Sequence, residues 1–129
     1  MRICCSLAVL IAFAACGGSD NPGTADAGSA DGAAPSVRTI TCPPGMQPTV
    51  TTSDSNDTAY TPSSTTISAG GIVKFVMSPS HNVAPNTIRP SDPGLHVDFG
   101  KTACLEFDKA GTFSFLCTTH GFAGTVVVQ

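Results

Sequence analysis

Ala110-Gly111-Thr112-Phe113-Ser114-Phe115-Leu116-Cys117-Thr118-Thr119-His120 is the stretch from which the architecture is read. Phe113 and Phe115 alternate with polar or smaller residues, the period of a half-buried strand. The strand leaves a turn at Lys109-Ala110-Gly111 and ends at Cys117. His120 then falls in the turn before a last strand, Thr125 to Gln129 (TVVVQ). Working back along the chain, the same two-residue period recurs in Ala103–Phe107 (ACLEF) and Ile72–Met77 (IVKFVM), where Val73, Phe75 and Met77 share one face. Thr65–Ser68 (TTIS), ending at Gly70-Gly71, a weak Thr49–Thr52 and Val37–Thr41 (VRTIT) complete the set. Strands this short, with turn residues between them and no 3.6-residue period, predict an all-β antiparallel sandwich or barrel. The stretch 78–101 carries Pro79, Pro85, Pro90 and Pro93 and cannot be one regular element.

The whole chain has 129 residues, 13 Gly and 10 Pro, a composition that disfavours a helical bundle. Six Lys and Arg against nine Asp and Glu give a net charge of −3. A polybasic surface is therefore absent, and nucleic acid is not the expected partner. No c-type haem attachment motif, phosphate loop or serine nucleophile elbow occurs.

The N-terminus, MRICCSLAVLIAFAAC, sets Arg2 before an apolar run from Ile3 to Ala15. That run is too short to span a bilayer, which takes roughly 20 residues, and it has the form of an export signal. Its end, Ala14-Ala15-Cys16-Gly17, resembles a bacterial lipobox, with Phe13 where an aliphatic residue is usual. The expectation is a signal peptide over 1–15, cleavage before Cys16 and lipidation of Cys16, giving a lipid-anchored exported protein at a periplasmic or cell-surface face. Plain cleavage nearby, with Cys16 an ordinary thiol, is the alternative. Residues 16–36 are Gly, Ala, Ser, Asp, Asn, Thr and Pro around Cys16 with no large apolar side chain, the composition of a flexible linker. The folded part is then 37–129, small enough to need a staple.

Cys4 and Cys5 leave with the signal. Cys42, Cys104 and Cys117 remain, an odd number for an oxidising compartment. Cys117 has His120 three residues on, whereas Cys42 and Cys104 have no such neighbour. The economical assignment is a Cys42–Cys104 disulfide with the Cys117 thiolate committed to a metal; pairing of Cys117 with one of the others stays open. His81 follows the IVKFVM strand, Cys117 ends TFSFLC, and His120 follows closely. Two imidazoles and one thiolate on loops at strand ends could meet at one end of a sandwich. Held trigonally, that donor set gives a type 1 copper site; with Cys104 or His96 added it would suit tetrahedral zinc.

These residues in this order resemble a cupredoxin of the plastocyanin, pseudoazurin and amicyanin type. The resemblance covers about 60–129. Tyr60-x-Pro62, Ile67, Gly70-Gly71, Val73 and Phe75 resemble the family's approach to its first ligand, His81-Asn82-Val83 resembles its His-Asn-Val, and Ala110 to His120 resembles its Ala-Gly-x-Phe-x-Phe-x-Cys-x-x-His. The resemblance implies a Greek-key sandwich and one copper per domain on His81, Cys117 and His120, with Asn82 bracing the ligand loop through a hydrogen bond. It also implies a one-electron carrier, likewise monomeric, that meets redox proteins transiently.

One feature departs from that pattern. The family supplies a weak axial Met soon after its second His, and no Met follows His120. Ala123 or Thr125 stands in its place, Met77 belongs to the core face of its strand, and a backbone oxygen near Ser80 is a further candidate. A copper-handling lipoprotein without electron transfer is the second reading, and a metal-free sandwich with Cys117 paired is the plainest. No enzyme is expected, because a second copper centre needs more histidines than the three present. His96 reads as a loop residue, or else as a secondary ligand.

Overall fold

The computed structural model describes residues 34–129. The signal sequence, Cys16 and nearly all of the 16–36 linker lie outside the described residues. Among the described residues there are nine strands and no helix. In chain order they are β1 (Val37–Ile40), β2 (Thr49–Ser53), β3 (Asn56–Thr61), β4 (Ser64–Ile67), β5 (Gly71–Val76), β6 (Ala84–Pro85), β7 (Thr102–Phe107), β8 (Gly111–Leu116) and β9 (Ala123–Val128).

They form two sheets, ordered β1-β7-β5-β2-β3 and β4-β9-β8-β6. The β5–β7 and β8–β9 ladders are antiparallel, with Phe75 opposite Ala103 and Phe113 opposite Val126. The expected all-β sandwich is present, and most of its pairings are antiparallel, but β2 runs parallel to β5, and β4 parallel to β9. The chain changes sheet at β3–β4, β4–β5, β5–β6, β6–β7 and β7–β8, so both sheets are mixed, a topology that short strand signals in the sequence do not encode. The same signals passed over β3, whose NDTAYT lacks an apolar alternation, and β6, which is two residues ending in Pro85.

The core lies between the sheets. Val73 and Phe75 of β5, with Leu105 and Phe107 of β7, face Phe113 and Phe115 of β8, with Val126 and Val128 of β9. Phe75 and Phe115 meet edge to face at 5.3 Å, joining the layers with the favoured geometry for two aromatic rings. Met77 is 4% exposed and packs in this core. Gly70 turns the chain from β4 into β5 with φ of 77°, a left-handed conformation that a side chain would disfavour. Cys42 and Cys104 are joined in a disulfide that fixes the segment after β1 to β7.

The long segment between β5 and β7 is held piece by piece. Val83 and Val97 pair across it, and Asn86 and Ser91 hydrogen-bond Ser114. Asp92, 7% exposed, accepts hydrogen bonds from the amide and hydroxyl of Ser36 and from the Gly94 amide. Burial raises the Asp92 carboxyl pKa, but those donors outweigh it and hold the group below its ordinary value.

Candidate metal centre

β5 and β8 lead to the same end of the sandwich. The loop after β5 carries Ser78, His81 and Asn82, and the turn after β8 carries Cys117, Thr118 and His120. Asn82 joins the two: its Oδ1 accepts from the Thr118 amide at 2.9 Å and from the Thr118 hydroxyl at 3.1 Å. The Asn82 carbonyl accepts from the Tyr60 hydroxyl at 2.6 Å, which ties the loop to β3. Within the β8–β9 turn, the Cys117 amide donates to the Phe122 carbonyl and the Gly121 amide to the Cys117 carbonyl.

This framework brings the three expected residues together in pairs. Cys117 Sγ lies 3.6 Å from His120 Nδ1. The His81 and His120 rings are 4.7 Å apart between centroids. Cys117 and His81 are fully buried, while His120 is exposed. Phe122 closes the cluster, packing on Tyr60 at 4.7 Å and His81 at 5.3 Å, and lying nearly parallel to His120 at 6.1 Å. Among the described residues, no three or more His, Cys, Asp or Glu side chains form a group that could hold a metal ion as placed.

The electrostatics suit a thiolate. Burial pushes the Cys117 thiol up, but hydrogen bonds from the Asn82, His120 and Thr119 backbone, and from the His120 imidazole, bring it below its ordinary value. Tyr60 moves the other way: burial, and then the nearby Cys117 charge, raise its phenol, so it stays a neutral donor to Asn82. A thiol held below its ordinary value beside two imidazoles is a donor set for a soft or borderline ion, and it fits copper.

On the outer side of His81, Nδ1 lies 2.9 Å from Ser78 Oγ and 3.5 Å from Asp54 Oδ1. The sequence reading missed Asp54 and Ser78. Asp54 sits in the β2–β3 turn, 26 residues before its partner Ser80, and nothing in its local pattern marks it. His96 is exposed and 3.0 Å from Asp98, a surface pair. Ala123, which follows Phe122 where a thioether was sought, is exposed.

A two-sheet sandwich with a buried Cys, a buried His and an exposed His at the loop end is a cupredoxin-like fold. Comparison with solved structures agrees. The chain superimposes on amicyanin from Paracoccus versutus with a TM-score of 0.55 and 20% identity, over 73% of this chain and 98% of that one. An amicyanin variant in its reduced Cu(I) form gives a TM-score of 0.55 at 19% identity, over 73% and 99%. A purple cupredoxin from Nitrosopumilus maritimus gives 0.53 at 19% identity, over 64% of this chain and all of that one. No protein-family model and no curated protein sequence matches the chain.

Proposed function

We propose that the chain is a type 1 (blue) copper protein that carries one electron at a time at a membrane surface. The observation that carries this reading is the 3.6 Å approach of Cys117 Sγ to His120 Nδ1 beside the buried His81 ring. Cys117, His81 and His120 would hold one copper ion, which when bound supplies a Cu(II)/Cu(I) couple. The likeness to an amicyanin in Cu(I) form supports that metal.

Each residue then has a task the fold suits. Cys117 gives the thiolate, its thiol held below the ordinary value by hydrogen bonds that outweigh its burial. His81 and Cys117 are buried on loops that Asn82 and Tyr60 tie together, so the donors keep their positions when the charge at the site changes. The exposed His120 ring gives a short route from the site to the surface, flanked by Gly121 and Ala123, which are also exposed. A contact patch this small suits redox proteins that bind weakly and leave quickly. The role is carriage rather than catalysis, by a monomer.

Around this domain, 37–129, the reading places a signal peptide over 1–15, lipidation at Cys16 and a linker over 16–36. The domain would thus stand on the periplasmic or cell-surface face of a bacterial membrane, where the Cys42–Cys104 disulfide persists. The test is anaerobic Cu(II) titration of the full chain, read by visible absorption and EPR. One equivalent should give an intense thiolate-to-copper band that the Cys117→Ser variant lacks. A colourless complex, or the same band in the variant, defeats the proposal.

A further inference from the structure

Asn56-Asp57-Thr58 is an Asn-x-Thr sequence, and Asn56 is the one asparagine of the chain that has Thr or Ser two residues on; Asn21, Asn82 and Asn86 do not. Asn-x-Ser/Thr, with x other than Pro, is the acceptor sequence for N-linked glycan when it stands at the surface of an exported protein. Asp54 lies two residues ahead, so the stretch reads Asp54-x-Asn56-x-Thr58, the longer acidic form that bacterial transferases accept. The fold puts this stretch within reach of an enzyme. Ser53 pairs with Asn56, so Asp54 and Ser55 form the tip of the β2–β3 hairpin. Ser53, Asp54, Ser55, Asn56 and Thr58 are all exposed. β3 ends the order β1-β7-β5-β2-β3, so among the described residues no strand of that sheet lies along its outer side.

The local geometry also prepares the amide. Thr58 donates twice to Asn56 Oδ1, from its backbone amide at 3.2 Å and from its hydroxyl at 2.6 Å. This is the turn in which an Asn side chain bonds the backbone two residues on. A carboxamide nitrogen is a poor nucleophile because its lone pair is shared with the carbonyl oxygen. When Nδ2 gives up a proton, negative charge gathers on Oδ1, where two donors already stand. Donors fixed where charge develops stabilise it. Among the described residues the Asn56 side chain bonds through Oδ1, and its Nδ2 makes no hydrogen bond.

We propose that Asn56 is an N-glycosylation site, with Thr58 as its positioning residue, and that its donor is an oligosaccharide carried on a polyprenyl diphosphate. The proposal goes beyond the copper reading and shares with it only the export of the chain. In the step, Asn56 Nδ2 forms a bond to C1 of the first sugar. The bond from that carbon to the diphosphate oxygen breaks, and the polyprenyl diphosphate leaves with the electron pair. A base of the oligosaccharyltransferase takes the Nδ2 proton, so nothing is oxidised or reduced.

The test needs neither metal nor export. The purified, folded full chain is incubated with a bacterial oligosaccharyltransferase and an undecaprenyl-diphosphate oligosaccharide, and intact mass is read; a synthetic Asp-x-Asn-x-Thr peptide run alongside shows that the enzyme is active. The chain should gain the mass of a single glycan, which fragmentation places on Asn56. Asn56→Gln and Thr58→Ala should lose the gain, and Thr58→Ser, which keeps a hydroxyl, should retain it. Circular dichroism of each variant checks that it is folded. An unmodified parent chain beside a modified peptide overturns the proposal, as does a glycan on another residue. Transfer to the heat-unfolded chain but not to the folded one overturns the claim that the hairpin as folded is the acceptor. Equal transfer to a folded Thr58→Ala chain overturns the role of Thr58. A second arm expresses the full chain in cells that carry the transferase and its donor. Glycan on Asn56 there supports both the site and export, whereas transfer in the purified system alone upholds the site and defeats the export reading.

Discussion

Asn82 Oδ1 accepts two hydrogen bonds from Thr118, one from its amide and one from its hydroxyl, across 36 residues of chain. This is a direct polar tie between the loop that carries His81 and the turn that carries Cys117 and His120. Asn82 is itself buried, so a chain lacking its amide oxygen would leave the Thr118 amide short of a partner in a partly buried place.

Asn82→Ala should therefore cost about 1–3 kcal/mol of stability, the penalty for an unsatisfied, partly buried donor. The variant should also bind Cu(II) more weakly than the parent, because the two loops no longer hold a common spacing. Urea denaturation followed by circular dichroism checks the first effect, and copper titration the second. A stability change within experimental error would mean that the tie contributes nothing.

The Cys42–Cys104 disulfide closes a loop with a sequence separation of 62. Loop-closure entropy makes a crosslink of that span worth about 4 kcal/mol. The paired variant Cys42→Ser, Cys104→Ser should lose roughly that much in denaturant unfolding while keeping its Cys117 site. Cys104 is fully buried in β7, which adds a packing loss when its sulfur is replaced.

Asp92 gives the pH dependence its sign. Its folded pKa lies below the ordinary value of 3.8, so its contribution is fully present above that value and is lost as pH falls through the folded pKa. Asp92→Asn should be less stable at neutral pH by about 1–3 kcal/mol, because three donors converge on the carboxylate. Its stability should also fall less steeply below pH 3.8 than that of the parent. Thermal unfolding of both chains across acidic pH reads both effects.

The sequence made legible what is local. The alternation in IVKFVM marked the buried face of β5 and the residue after it, and Val73, Phe75 and Met77 are all buried. The spacing of Cys117 and His120 placed both in one turn, where their side chains meet. The odd thiol count led to the pairing that the structure contains. What stayed hidden is non-local. The parallel pairings of β2 with β5 and β4 with β9 depend on how connections cross between layers. Asp54 reaches His81 only because β2 lies beside β5, and a single Asp in a polar turn carries no mark of that.

Gly124 shows how tightly the site end is packed. A Cβ there would lie 2.4 Å from Phe115 Cζ and 2.6 Å from its Cε2, with Tyr60 Cδ2 at 3.1 Å. Both rings are fully buried and cannot swing into open space. Gly124→Ala should cost about 1–3 kcal/mol through overpacking and disturb the Tyr60–Asn82 hydrogen bond. A melting temperature equal to that of the parent would show that the rings yield without cost.

The absent thioether bears on the proposed redox role. Ala123 is exposed and offers no donor atom, and Met77 is committed to the core. With no axial sulfur to stabilise Cu(II), the proposed site should have a relatively high potential, since the axial ligand tunes it. Ala123→Met should lower the potential of the copper-loaded chain by on the order of 60 mV, equivalent to a tenfold shift in the Cu(II)/Cu(I) affinity ratio for a one-electron couple. Protein-film voltammetry reads the shift, and the thiolate band should move with it if the new sulfur reaches the metal. Thr125, partly buried two residues further along β9, provides the control position. If Thr125→Met lowers the potential and Ala123→Met does not, the axial direction lies further along β9 than the residue after Phe122.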